Sequence, residues 1–169
     1  MFSNLRTEFI NSWENAKKTS PKLTFYNTLK YEFGRENYLE IKKYDHRSSI
    51  TRLRISAHDL EIERGRYKRD PTTKLKLPRD KRLCVYCKEV LNIESIEDEL
   101  HAITDCPLYI KPRLVHASKA DYGILESLED STNCTLYNLS ILGNTCFNMF
   151  ELRDAFIEYI NHDESDSEP

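Results

Sequence analysis

Four residues near the middle of the chain combine the side chains and the spacing of a metal site. Their pattern is Cys-x2-Cys-x13-His-x4-Cys, and they are Cys84, Cys87, His101 and Cys106. Zinc in a structural site takes four tetrahedral sulfur or nitrogen ligands, and a Cys-x2-Cys turn offers two thiolates close enough to share one ion. Spacings of this kind are a recognised zinc signal. The sequence therefore predicts one structural Zn²⁺ held by these four ligands.

The second pair of ligands requires a helix that ends between them. His101 and Cys106 are five positions apart, whereas neighbours on one helix face are three or four apart. Pro107 disfavours the α conformation for Cys106 and suits the start of a following helix. Ser95 with Asp98 three positions later is typical of a helix start. We expect a helix that begins near Ser95 and ends before Cys106, with Leu100 on its inner face.

Two other interpretations of the cysteines stay open at this stage. In the first, the cysteines are buried thiols of a reduced protein and the histidine lies at the surface, since free cysteine is among the most buried residue types. Disulfide bonding is the weaker alternative, because the chain has five cysteines and no secretory signal precedes it. Cys134 and Cys146 have no other ligand type close in sequence, so we expect both in the core.

The net charge of −3 conceals a strong asymmetry along the chain. Residues 1–41, 42–82 and 83–169 carry net charges of +1, +8 and −12. A basic segment neutralises phosphates and releases their counterions, which is the sequence-independent part of nucleic-acid affinity. The acidic C-terminal part would repel a polyanion. Only the middle part is therefore suited to RNA or DNA.

Two stretches of this basic part are candidate phosphate contacts. A helix predicted over 45–58 places two arginines on one polar face, and residues 64–69 interleave a tyrosine with four cations around Gly65, which favours a turn. Rings and guanidinium groups stack on bases as well as contacting phosphates. The alternative is that Glu61 and Glu63 pair with the neighbouring arginines and leave a surface loop without a partner. The predicted nucleic-acid-binding residues are Arg47, Arg54, Arg64, Arg66, Tyr67, Lys68 and Arg69.

Apolar residues at helical spacing predict a mostly α fold, a small multi-helix domain with one zinc-stabilised Cys-x2-Cys turn and helix pair. An inner face is predicted for the first helix at Phe2, Leu5, Phe9 and Trp13. Further helices are expected over 22–33, 36–43, 45–58, 107–120, 124–128, 134–142 and 146–160. In the helix over 107–120, Leu114 is predicted to be buried and His116 to lie at the surface.

The domain organisation follows from the same patterns. We predict a helical N-terminal part with the basic segment (1–69), an extended or mobile linker (70–80), the zinc element with C-terminal helices (81–161) and a disordered acidic tail (162–169). No run approaches the roughly 18 to 20 apolar residues of a membrane helix. We therefore expect a soluble intracellular protein, nuclear or cytoplasmic.

Between about residues 50 and 113 the chain resembles a known family. Residues 47–58, 60–68, 79–84, 96–101 and 106–109 are similar to the region C-terminal to the polymerase in non-LTR (LINE-type) retrotransposon reverse transcriptases, which carries a Cys-Cys-His-Cys zinc element. The resemblance implies zinc binding by Cys84, Cys87, His101 and Cys106, and handling of the element's RNA or target DNA. It does not imply catalysis, because the aromatic-x-Asp-Asp motif of the polymerase and any endonuclease motif are missing from this chain.

The function expected from the sequence is thus a zinc-binding, nucleic-acid-binding module that is not an enzyme. A zinc-stabilised protein-interaction or structural module, whose acidic half meets a basic partner, is the first rival, together with a retroelement remnant without function. The second rival is a metal-dependent nuclease that uses His101 or His58 beside the carboxylates of Glu97, Asp98 and Glu99.

Overall fold

The computed structural model describes residues 2–129 and 133–165, and within these ranges it is helical, with two isolated bridges and no β-sheet. This confirms the predicted fold class. Four short 3-10 turns lie at Pro21–Leu23, Asn37–Glu40, Arg79–Lys81 and Pro107–Tyr109. The α-helices are α1 (Phe2–Thr19), α2 (Thr24–Leu29), α3 (Tyr44–Arg54), α4 (Glu61–Arg64), α5 (Val85–Leu91), α6 (Glu99–Thr104), α7 (Ile110–Ala117), α8 (Ile124–Glu129) and α9 (Leu136–Ser165).

The longest helix, α9, runs without interruption where the sequence predicts two helices. Gly143 lies in its interior, at a point where α9 and α3 touch. A Cβ atom there would lie 2.6 Å from the Cβ of His46 and 2.8 Å from its carbonyl oxygen. Glycine in a helix interior costs about 1 kcal/mol relative to alanine. In this case it marks a close helix crossing, and the prediction of two separate helices is wrong.

The main core lies between α2, α3, α8 and α9. Its fully buried members include Ile50 and Leu53 of α3 and Leu139 and Leu142 of α9. Cys134 and Cys146 are also buried in this cluster, which confirms the prediction that they are core residues. The core therefore joins residues from both sides of the predicted linker.

A second, smaller core surrounds the four-residue cysteine and histidine pattern. Its buried members are Leu60, Ile62, Cys84, Cys87, Ala102, Cys106, Tyr109 and Met149. Met149 belongs to α9, and its neighbour Phe150 belongs to the main core. The same helix thus supports both cores.

Residues 70–80, predicted as an extended connection, begin with a closed turn. The Asp70 amide donates to the Leu75 carbonyl at 2.9 Å, and the Leu77 amide donates to the Lys68 carbonyl at 3.0 Å. The Asp70 carboxylate accepts hydrogen bonds from the amides of Thr73 and Thr72, which hold its pKa below the usual value. This Asx-type turn is the reason that the chain doubles back here.

The expectations for the first four predicted helices are corrected. On α1, Leu5 and Phe9 are exposed, while Trp13 is partly buried against Phe33 at a ring-centroid distance of 5.5 Å; the side chain of Phe2 lies outside the described part. The helices predicted over 22–33, 36–43 and 45–58 are shorter in the structure, and Asn37–Glu40 is a 3-10 turn.

The region around α7 and the end of α9 also differ from prediction. Leu114 is exposed and His116 is buried, with its Nε2 atom 3.0 Å from the Tyr122 carbonyl oxygen and its Nδ1 atom 3.2 Å from the Thr145 hydroxyl. Burial lowers the pKa of His116. Because α9 continues to Ser165, residues 162–165 are helical, while 166–169 of the predicted tail lie outside the described residues. In the ranges 2–129 and 133–165, no helix has both the length and the apolar composition needed to cross a membrane.

Candidate metal centre and basic surface

The first two ligands are placed by the start of α5. Cys84 is the residue before this helix, and its amide donates to the Ser95 carbonyl at 2.7 Å. Cys87 lies in the first turn, and its carbonyl accepts from the Ile93 amide at 2.9 Å. Asn92 ends α5 in the left-handed conformation (φ 56°), which asparagine tolerates better than most residues. The two cysteines are thus held on a short helix folded back on its own loop.

The other two ligands are placed by α6 and the turn after it. The helix begins at Glu99 and is capped by Asp98, whose carboxylate accepts from the His101 amide at 2.9 Å. The expected start near Ser95 is therefore wrong, and so is the inward position of Leu100, which is exposed. The expected helix end before Cys106 is confirmed. The Cys106 amide donates a hydrogen bond to the His101 carbonyl at 2.8 Å.

The four ligand atoms lie within 4.8 Å of one another. Cys87 Sγ is 3.4 Å from His101 Nε2 and 3.9 Å from Cys106 Sγ, and Cys84 Sγ is 3.7 Å from Cys106 Sγ. Tetrahedral zinc with thiolate and imidazole ligands places neighbouring ligand atoms roughly 3.5–3.8 Å apart. The four groups therefore lie close enough to hold one metal ion, and the three shortest separations are near the tetrahedral values.

These contacts, together with burial, shift the pKa values of all four groups. The hydrogen bond with Cys106 lowers the pKa of Cys84 to about 4 and raises that of Cys106, while burial raises the pKa of Cys87 to about 11. The hydrogen bond with Cys84 raises the pKa of His101. Burial and the neighbouring Cys84 thus disfavour the thiolate forms of Cys87 and Cys106. A bound divalent cation would compensate the charge of these thiolates, since metal ligands must be deprotonated.

A buried ion pair fastens the loop between the two ligand pairs to the rest of the molecule. Glu97 is 2% exposed, and its two carboxylate oxygens accept hydrogen bonds from Nε and Nη2 of Arg153, each at 2.9 Å. The Glu61 amide donates to Glu97 at 2.7 Å. Burial nevertheless raises the pKa of Glu97. Sequence reasoning missed the role of Arg153, because no local pattern links positions 56 apart.

The carboxylates considered for a nuclease all have structural partners. Glu97 binds Arg153, and Asp98 caps α6 and pairs with Arg79 at 2.8 Å. Glu99 accepts from the Ser56 hydroxyl and lies 3.0 Å from His58 Nε2. Burial opposes the ionisation of Glu99, but these hydrogen bonds hold its pKa below the usual value. The arrangement gives each group a role in stabilising the fold.

The structure removes Arg54 from the predicted nucleic-acid surface. Its side chain is 0% exposed, and its guanidinium pairs with Glu36 at 3.0 Å and donates to the Leu128 carbonyl. The prediction that Arg54 contacts phosphate is therefore wrong. Arg47 is partly buried and donates to the Ile41 carbonyl at 2.8 Å. Helical spacing identified a polar face, but part of that face is turned toward buried acceptors.

Three of the other predicted cations pair with the carboxylates beside them. Arg66 lies 2.5 Å from Glu63, and Lys68 and Arg64 lie 2.6 and 3.7 Å from the oxygens of Glu61. These distances agree with the alternative interpretation that the local acids neutralise the run. Their charges are therefore only partly available to a phosphate.

A concave surface beside this run is lined by four cations and a tyrosine, and we call it the basic recess. Tyr67 on its rim is 79% exposed. In the part of the chain that the structure describes, Arg69, Lys76 and Arg82 form no ion pair. Sequence reasoning missed Lys76 and Arg82, although the turn signal Asp70-Pro71 would have indicated that residue 76 folds back toward Arg69. The recess is lined by Arg66, Tyr67, Arg69, Lys76 and Arg82.

Comparison with known proteins adds no relative. No protein-family model matches the chain, and neither a curated protein nor a solved structure is significantly similar to it. The resemblance to the retrotransposon region therefore stays a prediction from the sequence.

Proposed function

We propose that the chain is a zinc-stabilised module that binds nucleic acid, with one zinc ion at Cys84, Cys87, His101 and Cys106 and a nucleic-acid surface at the basic recess. The observation that carries the proposal is the pairing of a compact four-ligand cluster with a recess in which three of the four cations, Arg69, Lys76 and Arg82, lack acidic partners among the described residues.

The metal in this proposal is structural. Four protein ligands leave no coordination position for an activated water, so the ion supplies folding energy rather than a nucleophile. The three cysteine ligands are also members of the second core, so an ion bound to them would fix α5 and α6 against α9. In small zinc peptides such binding contributes on the order of 10 kcal/mol or more to folding.

The nucleic-acid partner is supported by charge and by resemblance. The +8 segment contains every residue of the recess, and three of its cations remain without a carboxylate among the described residues. The similarity to the region after a retrotransposon polymerase points to the same class of ligand, RNA or DNA. No polymerase or endonuclease motif accompanies it, so the proposed activity is binding alone.

A protein-interaction module is the second candidate, favoured by an exposed apolar patch. Leu5 and Phe9 of α1 are exposed beside Phe33, whose ring lies 5.4 Å from that of Phe9. Soluble proteins expose such side chains singly without consequence, whereas contiguous patches mark interaction sites. The net charge of −12 over residues 83–169 would favour a basic partner.

Equilibrium binding across a salt series separates the two candidates. The zinc-loaded chain is titrated with structured RNA, single-stranded DNA and duplex DNA, and we expect affinity that falls steeply as salt rises. Reversing two recess charges with Arg69→Glu and Lys76→Glu removes two phosphate contacts. The plot of log K against log salt should become shallower by roughly 1.4 on a single strand.

The matched control reverses two exposed lysines, Lys111 of α7 and Lys119 in the turn after it, with Lys111→Glu and Lys119→Glu. It changes the net charge equally but leaves the recess intact, so its salt slope should stay near that of the native chain. Equal losses in both double variants would contradict a local site. No binding to any of the three nucleic acids would refute the proposed function and favour the interaction module.

A further inference from the structure

Resting on the proposed function, we infer that the basic recess is a subsite for one unpaired nucleotide, with the phosphate between Arg69 and Lys76 and the base stacked on the Tyr67 ring. The ligand class is therefore a single strand rather than a duplex.

The two cations are brought side by side by the turn at Asp70. Arg69 and Lys76 form an antiparallel bridge, so their side chains belong to one cross-strand pair. Like charges directly opposite each other destabilise such a pair. The Arg69 guanidinium donates to the Lys74 carbonyl at 2.9 Å, which keeps it over the turn. An anion bound between the two groups would relieve their repulsion.

The nearby carboxylates already bind cations or backbone amides. Glu61 is held by Lys68 and Arg64, and Glu63 by Arg66. Asp70 accepts the amides of Thr72 and Thr73 within its own turn. The recess therefore keeps a net positive charge available to a phosphate.

Tyr67 supplies the stacking surface. Its side chain is 79% exposed, and among the described residues no aromatic ring or cation packs on its face. Its hydroxyl lies 3.5 Å from a carboxylate oxygen of Glu63, which orients the ring edge and leaves the faces open. Base–aromatic stacking of this kind is sequence-tolerant, since every base has a π-face. Bases within a duplex are already stacked, so a duplex would offer only its phosphates.

Arg82 lines the recess and is anchored by hydrogen bonds to two backbone carbonyls. Its guanidinium donates to the Leu77 carbonyl at 3.0 Å and to the Ile62 carbonyl at 2.9 Å, which joins the turn to α4. Gly65 makes room for it, because a Cβ atom there would lie 2.5 Å from Arg82 Cγ. The turn expected from the sequence is present at residues 65–67, but Gly65 has an ordinary helical φ of −64°, so the position requires space rather than backbone freedom.

The experiment compares a short oligothymidine strand with an abasic strand of equal length, which carries the same phosphates without bases. Fluorescence anisotropy with the full zinc-loaded chain should show the base-containing strand bound roughly 5- to 150-fold more tightly. Tyr67→Ala should abolish this preference, and Tyr67→Phe should retain it. Replacing Arg69 and Lys76 by glutamine should weaken binding of both strands alike.

Each possible result decides the inference. Equal affinity of the native chain for the two strands would overturn the nucleotide subsite and leave phosphate-directed nucleic-acid binding intact. A Tyr67→Ala chain that keeps the preference would also overturn it. Absence of binding to both strands would overturn the subsite and the proposed function together. An unchanged thermal melt of Tyr67→Ala, expected for so exposed a side chain, shows that folding is not the cause.

Discussion

At the scale of single residues, the ion pair between Glu97 and Arg153 connects the candidate metal centre to the long helix α9. Both side chains are buried, and the carboxylate is bound by two guanidinium nitrogens and one backbone amide. A buried pair contributes little compared with well-packed apolar groups, but removal of one partner leaves an uncompensated charge. The pair should therefore be sensitive to any change on one side only.

Replacing Arg153 by methionine should lower the free energy of unfolding by about 3–5 kcal/mol, measured by urea denaturation. Because burial already raises the pKa of Glu97, the carboxyl would take up a proton more readily when its partner is lost. A raised pKa in the folded state favours folding at low pH and disfavours it as pH rises, so the deficit should grow with pH.

Two further variants test this explanation. The double change Glu97→Gln and Arg153→Met should recover part of the loss, since no unpaired charge remains. Lys88→Met, which breaks an exposed pair with Glu89, should change stability by only about 0–1 kcal/mol. A single Arg153→Met variant as stable as the native chain would show that the pair does not hold α9 in place.

The residues of the metal cluster could be predicted, whereas their supports could not. Cysteine and histidine spacings within a short segment report directly on which atoms meet. The partners of Glu97 and Arg54 come from distant segments, and nothing in the local pattern indicates that Arg54 is buried against Glu36. Hydrophobic periodicity identifies the apolar face of a helix. It does not identify a charged residue whose side chain is turned toward buried acceptors.

At the scale of elements, the contact between α3 and α9 determines where the main core lies. At Gly143 the two helices are too close for a side chain, because a Cβ atom there would lie 2.8 Å from the His46 carbonyl oxygen. The prediction of a break near this glycine rests on local helix propensity, which gives no information about contacts with another helix. The tertiary contact explains why the residue is small and why the helix nevertheless continues.

Gly143→Ala should destabilise the chain by about 1–3 kcal/mol, although alanine is the better helix former, because the new methyl group overlaps His46. Thermal denaturation gives the measurement. Gly123→Ala is the matched control, since no atom lies within 4 Å of a Cβ at that position. We expect the control to stay close to native. A stabilised Gly143→Ala chain would mean that α3 and α9 are not in close contact.

At the scale of the whole molecule, the metal element is not an independent appendage. Its three cysteine ligands belong to a core that includes Leu60 and Ile62 from one side and Met149 of α9 from the other. Arg82, two residues before the first ligand, also lines the basic recess. Loss of the ion should therefore disturb the recess as well as α5 and α6.

The predicted fold class and the predicted ligand cluster agree with the structure, but the arrangement of the parts could not be read from the sequence. Helical spacing and ligand spacing are local properties. The packing of α9 against both cores and the turn that pairs Arg69 with Lys76 depend on contacts between segments. The basic recess emerges only from that folding.

The zinc content of the purified chain decides whether the cluster is a metal centre. We expect one zinc per chain by elemental mass spectrometry, retained in Cys146→Ala, whose cysteine is buried away from the cluster, and lost in Cys84→Ser together with a lower melting temperature. A native chain without zinc, or a Cys84→Ser chain with unchanged zinc content and an unchanged melt, would contradict the four-ligand assignment.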